Sequence, residues 1–248
     1  MKILVCISSV PDTTSKINFI ENNTKLDTSG MQFVINPYDE FGLTKAMMLK
    51  ESNQAEVTVI TVGDIHVEPV MRKALAIGAD KAVRINTKPN DSFSVANEIA
   101  MYIKNNSFDL IIGGRESIDY NGGAVPGMIS EMLNLPFINA CINLEIKGSK
   151  VEATREIEGG KEIVSVSLPL IIGGQKGLVE EDQLRIPNMR GIMTARTKTL
   201  EVIDPSSTET YTSTEKFEPL KEKASCKIVD SNNIDKLIEI LSNEAKVI

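Results

Sequence analysis

Apolar positions in the first half of the chain follow two alternating patterns. Short continuous runs, Ile3 to Ile7, Glu56 to Val62, Lys81 to Ile85 and Asp109 to Ile112, are rich in Val and Ile and have the length of buried strands. Between them apolar residues recur at i, i+3 and i+4: Leu43, Ala46 and Met47; then Val67, Val70, Met71, Ala74 and Leu75, stopped by Gly78; then Phe93, Ala96, Ile99, Ala100 and Ile103. Strands this apolar do not face water, so the alternation predicts crossover units covering both faces of a parallel sheet. Residues 1 to about 135 are expected to form a doubly wound, mainly parallel α/β layer.

The rhythm changes after Pro136. Turn signals at Lys147-Gly148-Ser149-Lys150 and Glu158-Gly159-Gly160-Lys161 separate β-rich runs such as Ile163 to Leu168, which predicts β-hairpins in or beside the sheet over residues 137–172. From Asp204 to Lys227 the chain turns to Ser, Thr, Glu, Lys and Pro, too polar to build a core, and reads as an extended arm. The arm leads into Ile234, Leu237, Ile238 and Leu241, the spacing of an amphipathic helix that needs a surface, with Ser231 or Asn232 as its cap. The expected division is an α/β domain over 1–203 and an arm with helix over 204–248. No internal repeat is apparent.

Composition narrows the function classes. Of 248 residues 42% are hydrophobic and 25% charged, an ordinary globular balance. The net charge of −7 disfavours nonspecific binding to nucleic acid or anionic lipid. Cys6, Cys141 and Cys226 form no C-x-x-C pair, and with no signal-like N-terminus the chain is expected in a reducing compartment. No apolar run approaches the ~20 residues of a membrane span, so no membrane insertion is expected. The single histidine, His66, leaves no Ser-His-Asp triad or multi-histidine metal site and reads as a solvated or capping residue. The cysteines read as small buried hydrophobes.

Ligands of a doubly wound sheet bind beyond the carboxyl ends of its strands. Two segments there draw notice. Asn36-Pro37-Tyr38-Asp39 places a capping side chain before a proline suited to the first helical position. Gly113-Gly114-Arg115 continues as Glu116-Ser117-Ile118-Asp119-Tyr120-Asn121-Gly122-Gly123-Ala124-Val125-Pro126-Gly127 ahead of a helical pattern at Met128, Ile129 and Met132. Glycines permit close backbone approach, and a following helix start offers amides to a phosphate. A surface loop whose glycines only turn corners reads equally well. The segment is neither G-x-G-x-x-G nor a P-loop.

The residues together resemble the β subunit of electron-transfer flavoprotein over nearly the whole chain. The resemblance rests on Ala153-Thr154-Arg155-Glu156-Ile157-Glu158-Gly159-Gly160-Lys161-Glu162 and the later Leu168-Pro169. It also rests on Arg185-Ile186-Pro187-Asn188-Met189-Arg190-Gly191-Ile192-Met193 before the strand-like Leu200-Glu201-Val202-Ile203, and on Asn36-Pro37 and Ser117-Ile118-Asp119. It implies a nucleotide-α-hydrolase-like fold, a heterodimer with an α subunit carrying FAD, and a structural AMP in this subunit. By that resemblance Cys6, Asn36 to Asp39, Val62 and Glu116 to Gly127 line the AMP site. A recognition loop near 184–198, with Ile186 to Met193 at its heart, docks acyl-CoA or related dehydrogenases, and the flavin passes electrons to a quinone-reducing acceptor. The family's leucine at the docking tip is here Met189, which still suits a shallow apolar pocket.

The lysine-rich run that usually follows is thinned to Arg196 and Lys198. The resemblance implies an electron carrier subunit rather than an enzyme, in a bacterial cytosol or a mitochondrial matrix. Two other readings compete. An electron-bifurcating form holds a second FAD in this subunit and meets NADH; Gly122-Gly123-Ala124-Val125-Pro126-Gly127 lacks the Thr and Gln associated with it. A stand-alone adenine-nucleotide sensor resembling universal stress proteins leaves the recognition loop and arm unexplained.

Overall fold

In the computed structural model, which describes residues 1–207, 209–221 and 225–248, each apolar run of the first half becomes a strand and each 3.6-periodic segment a helix. The chain runs β1 (Lys2–Cys6), β2 (Ser9–Pro11), β3 (Phe19–Ile20), β4 (Lys25–Leu26), β5 (Phe33–Ile35), α1 (Pro37–Asn53), β6 (Glu56–Val62), α2 (Glu68–Ile77), β7 (Lys81–Ile85), α3 (Ser92–Asn105), β8 (Leu110–Gly114) and α4 (Val125–Leu133). It continues with β9 (Phe137–Lys147), β10 (Lys150–Ile157), β11 (Gly160–Ser167), β12 (Leu170–Gly174), α5 (Met189–Ala195), β13 (Leu200–Ile203) and α6 (Ile234–Glu239). Among the described residues the main sheet has nine strands in the order β11-β10-β9-β12-β8-β1-β6-β7-β13. It is parallel from β9 to β13, and β10 and β11 are antiparallel additions.

Side chains alternate across this sheet because strand residues point to opposite faces in turn. Ile3, Val5, Leu110, Ile112, Leu170 and Ile172 pack with Leu43, Met47, Met71 and Leu75 of α1 and α2. Leu4, Ile111 and Ile171 pack on the other face with Ala96, Ile99 and Ile103 of α3 and Ile129 of α4. Both faces are covered, which is why the strands are apolar without interruption. The chain is therefore doubly wound, as expected.

Three sequence expectations need adjustment. The segment Leu170 to Gly174 is no part of a hairpin: β12 lies between β9 and β8, parallel to both and fully buried. Its sequence, Leu-Ile-Ile-Gly-Gly, repeats that of β8, and the two copies pair in register from Leu170 opposite Leu110 to Gly174 opposite Gly114. A short repeat thus exists and forms the middle of the sheet. The final helix starts one residue later than the proposed caps, at Asn233, whose side chain accepts from the Lys236 amide at 3.2 Å.

The third concerns the arm. The chain divides into two compact units, Met1–Ile17 with Asp27–Glu215, and Asn18–Leu26 with Lys216–Ile248, rather than at 203/204. The chain up to Glu215 joins the first unit, where Glu98 of α3 and Asp91, the cap of α3, hold Ser206, Ser207, Tyr211 and Thr212. Glu98, buried, accepts from the amides of Ser206 at 2.8 Å and Ser207 at 2.6 Å. Asp91 accepts from Tyr211 at 2.7 Å and Thr212 at 3.0 Å, and the Tyr211 ring meets Phe93 edge-on at 4.4 Å. Of the expected arm, residue 208 and residues 222–224 lie outside the described residues. In the second unit Phe19 stacks on Phe217 at 4.7 Å, and Ile234, Leu237 and Ile238 of α6 are exposed.

Candidate functional site

The strand order reverses at β1. From β1 the chain builds outward through β6 and β7, then returns to place β8 on the other side of β1. The crossovers on the two sides lie on opposite faces, which leaves a crevice outside the carboxyl ends of β1 and β8. Cys6 ends β1, Gly113 and Gly114 end β8, and α1 and α4 start beside them. A side chain on Gly113 would press on Pro126 of α4 at 3.1 Å and approach Cys6, so these three elements converge there.

Asn36 and Asp39 knit the crevice together, though not by capping. The Asn36 side chain makes no cap hydrogen bond to α1. Its amide donates to the Glu116 carbonyl at 2.9 Å and accepts from the Ile118 amide at 3.2 Å. A carboxamide carries the same donor and acceptor as a peptide unit, so it pairs with the loop backbone as a strand neighbour would. Asp39, buried, accepts from the Ser8 amide at 2.7 Å with one oxygen and from the Gly114 amide at 2.8 Å with the other. It thereby ties α1 to the loops leaving both β1 and β8. No side chain fits at residue 114, where a Cβ would lie 2.4 Å from Asp39 Oδ1 and 2.8 Å from Tyr38 Cβ.

Burial sets the protonation here. Desolvation pushes the Asp39 carboxyl up to about 7, against the pull of the Ser8, Gly114 and Asn36 hydrogen bonds. Burial, with Asp39 nearby, pushes the Cys6 thiol up to about 12, so it is no nucleophile. Cys141 is buried as expected, whereas Cys226 is exposed.

The loop from Glu116 to Ala124 closes on itself, the Ser117 amide donating to the Gly122 carbonyl at 3.0 Å, with Asn121 left-handed at φ 51°. Glu116, Ser117 and Ile118 are half-buried; Asp119, Tyr120, Asn121, Gly123 and Ala124 are exposed. It delivers the chain to α4, whose first turn has Pro126 and no side-chain cap. The first amides of a helix lack partners within it, so this end is suited to an anion. Cys6, Val62 and Val125 join the apolar cluster on the α3 and α4 side, which gives the crevice an apolar wall opposite its polar one. Of the predicted residues, Cys6, Asn36, Asp39, Pro126 and the backbone of Glu116 and Ile118 meet at the ends of β1 and β8, while Asp119 to Asn121 stay exposed in the loop.

Sequence reasoning passed over Ser8 and Gln175, and left Gly114 and Arg115 of the candidate segment without a role; all four build the crevice or its rim. Arg115 donates to Gln175 at 2.9 Å and Glu116 at 3.0 Å and lies over the Tyr38 ring at 5.8 Å. Gln175 in turn donates to Glu156. The signal for Gln175 was the repeated Leu-Ile-Ile-Gly-Gly, which places Arg115 and Gln175 at matching positions after paired strands.

Residues 185–193 lie elsewhere, along α2. Met189 to Ala195 form the short helix α5, with Asn188 as its cap accepting from Gly191 at 2.7 Å. Ile186, Met189 and Met193 are 85%, 76% and 68% exposed, and Met189 and Met193 share a helical face. Pro187 and Ile192 border a groove against α2, Arg190 is exposed, and Gly191 faces Ala76.

Comparison with known proteins gives a consistent result. The family model for the electron transfer flavoprotein domain matches residues 24–208. The chain is 35% identical to the electron transfer flavoprotein subunit beta of Bacillus subtilis (strain 168) over the whole of both chains. It is 33% identical to that of Syntrophomonas wolfei over 100% of this chain and 98% of the relative. To the mitochondrial subunit beta of Oryza sativa subsp. japonica it is 30% identical, again over the whole of both.

Proposed function

The chain belongs to the electron transfer flavoprotein β-subunit family, and from that premise we propose that it holds AMP in the crevice between β1 and β8 and presents α5 to acyl-CoA or related dehydrogenases. An α subunit carries the FAD that accepts their electrons and passes them to a quinone-reducing acceptor; the flavin supplies the redox chemistry. The observation that carries the AMP reading is the convergence of Asn36, Asp39, Gly114 and the 116–118 backbone on one crevice beside the uncapped start of α4. The α4 amides suit the phosphate, and the apolar wall of Cys6, Val62 and Val125 suits a base.

Asn36 and Asp39 spend their polar atoms on the protein, so their part is to shape the loop and the ligand rests on backbone and apolar surface. The chain after residue 215, with α6 exposing Ile234, Leu237 and Ile238, is the part that embraces the α subunit. The readings separate when the chain is co-expressed with its α partner, the complex denatured and the released nucleotides resolved by chromatography. One FAD and one AMP per complex is the expected outcome. Two FAD and no AMP mark a bifurcating form, and ATP on a lone chain contradicts the assignment.

A further inference from the structure

A seven-residue helix such as α5 is marginal alone, because its first and last backbone groups lack partners within so short a span. Here two cations supply those partners crosswise. Arg72, on α2, sends Nη1 to the carbonyls of Ala195 at 2.7 Å and Lys198 at 2.9 Å, closing the carboxyl end of α5. Lys198, just beyond α5, sends Nζ to the carbonyls of Leu75 at 2.9 Å and Ala79 at 2.7 Å, closing the carboxyl end of α2. α2, and the turn that leaves α5, thus carry the cations that cap each other's helix, where positive charge also suits the helix dipole.

Between the caps the helices meet at Gly191, where a Cβ would lie 2.2 Å from the Ala76 carbonyl oxygen. The entrance to the segment is pinned as well: the Arg185 amide donates to buried Thr44 at 3.2 Å, and its guanidinium meets Glu51 at 2.7 Å. A segment tied this firmly still leaves Ile186, Met189 and Met193 largely in water. Its rigidity serves a surface, since side chains ordered beforehand need not be ordered on binding.

We infer that Arg72 and Lys198 are positioning residues for docking, cross-capping α2 and α5 so that Met189 and Met193 form a preformed apolar face for the partner dehydrogenase. This rests on the docking reading above. The test uses the complex with the α subunit and an acyl-CoA dehydrogenase from the same source, comparing Arg72→Gln, Lys198→Gln, Arg72→Lys and Met189→Ala with the parent. Losing charge-assisted hydrogen bonds should speed amide exchange over residues 189–195 by about tenfold in Arg72→Gln and Lys198→Gln. The dehydrogenase's apparent KM for the complex should rise about threefold to tenfold with kcat unchanged, and Arg72→Lys should recover part of both losses.

Unchanged exchange in both glutamine variants overturns the cross-cap. Faster exchange with an unaltered KM, while Met189→Ala raises KM, overturns its role in docking and leaves the docking reading standing. If Met189→Ala and both glutamine variants all leave KM unaltered, the docking reading itself has failed and the inference falls with it. Should Arg72→Gln not fold, Lys198→Gln carries the same comparison from the other helix.

Discussion

Asp39 shows how one side chain can build a site at a cost that pH reveals. Its carboxyl titrates near 7 in the folded chain against an ordinary 3.8, so between those values the folded state binds more protons than the unfolded one. The stability it contributes is therefore present below about pH 4 and lost as pH rises toward about 7, on the order of a few kcal/mol. Asp39→Asn has no such titration. Melting temperatures from pH 4 to 8 should show the parent's advantage over Asp39→Asn shrinking across that window; a constant difference would mean Asp39 titrates normally. At the proposed docking tip, Met189→Ala removes an apolar side chain whose full burial is worth ~1.5–3 kcal/mol. About a tenfold loss in transfer efficiency from the dehydrogenase should follow, with flavin content and heterodimer assembly unaltered. Asn36 was legible as important in the sequence but misread as a helix cap, because its real partners, the Glu116 carbonyl and Ile118 amide, are backbone groups that leave no mark in the sequence.

Among the elements, helices α2 to α4 were legible because each buries one face on the sheet and so repeats its apolar residues with helical period, whereas α1 is buried on more than one side, from Asp39 and Phe41 to Leu49. Strand β12 was not, since a five-residue apolar run looks alike in a hairpin and in a buried parallel strand until its neighbours are known. The polar arm also defied its composition. Glu98 on α3 grips the Ser206 and Ser207 amides and Asp91, the cap of α3, those of Tyr211 and Thr212, and against a desolvation penalty the amides of Ser94, Tyr211 and Thr212 hold the Asp91 carboxyl down to about 2. Glu98→Gln should accelerate exchange of the Ser206 and Ser207 amides by about tenfold, as charge-assisted bonds are exchanged for neutral ones. Cutting the chain is informative at the right place. Ending it after Glu215 keeps the grip and should preserve the melting temperature of the first unit while abolishing co-purification with the α subunit. Ending it after Ile203 also strips Glu98 of its amide partners and should lower stability as well.

For the molecule as a whole, the proposed AMP at the meeting point of β1, β8, α1 and α4 would stabilise the native state by ordinary linkage, ~2.7 kcal/mol at a hundredfold excess over Kd. Stripping it from the complex should lower the melting temperature by roughly 5–10 °C, and adding back AMP should restore it. An unchanged melting curve after stripping would count against a structural nucleotide. The doubly wound sheet was readable from residue order alone, because a layer buried on both faces demands apolar strands and one-faced helices wherever it occurs. So was the family, through motifs spread from Asn36 to Met193. Folding settled the rest: β12 beside β8, Asp39 on the Gly114 amide 75 residues away, and Arg72 on the Lys198 carbonyl 126 residues away. The first of these pairings joins peptide groups to one another and the other two join side chains to peptide groups, and peptide groups are nearly the same at every position. Only the path of the folded chain selects which of them a side chain meets.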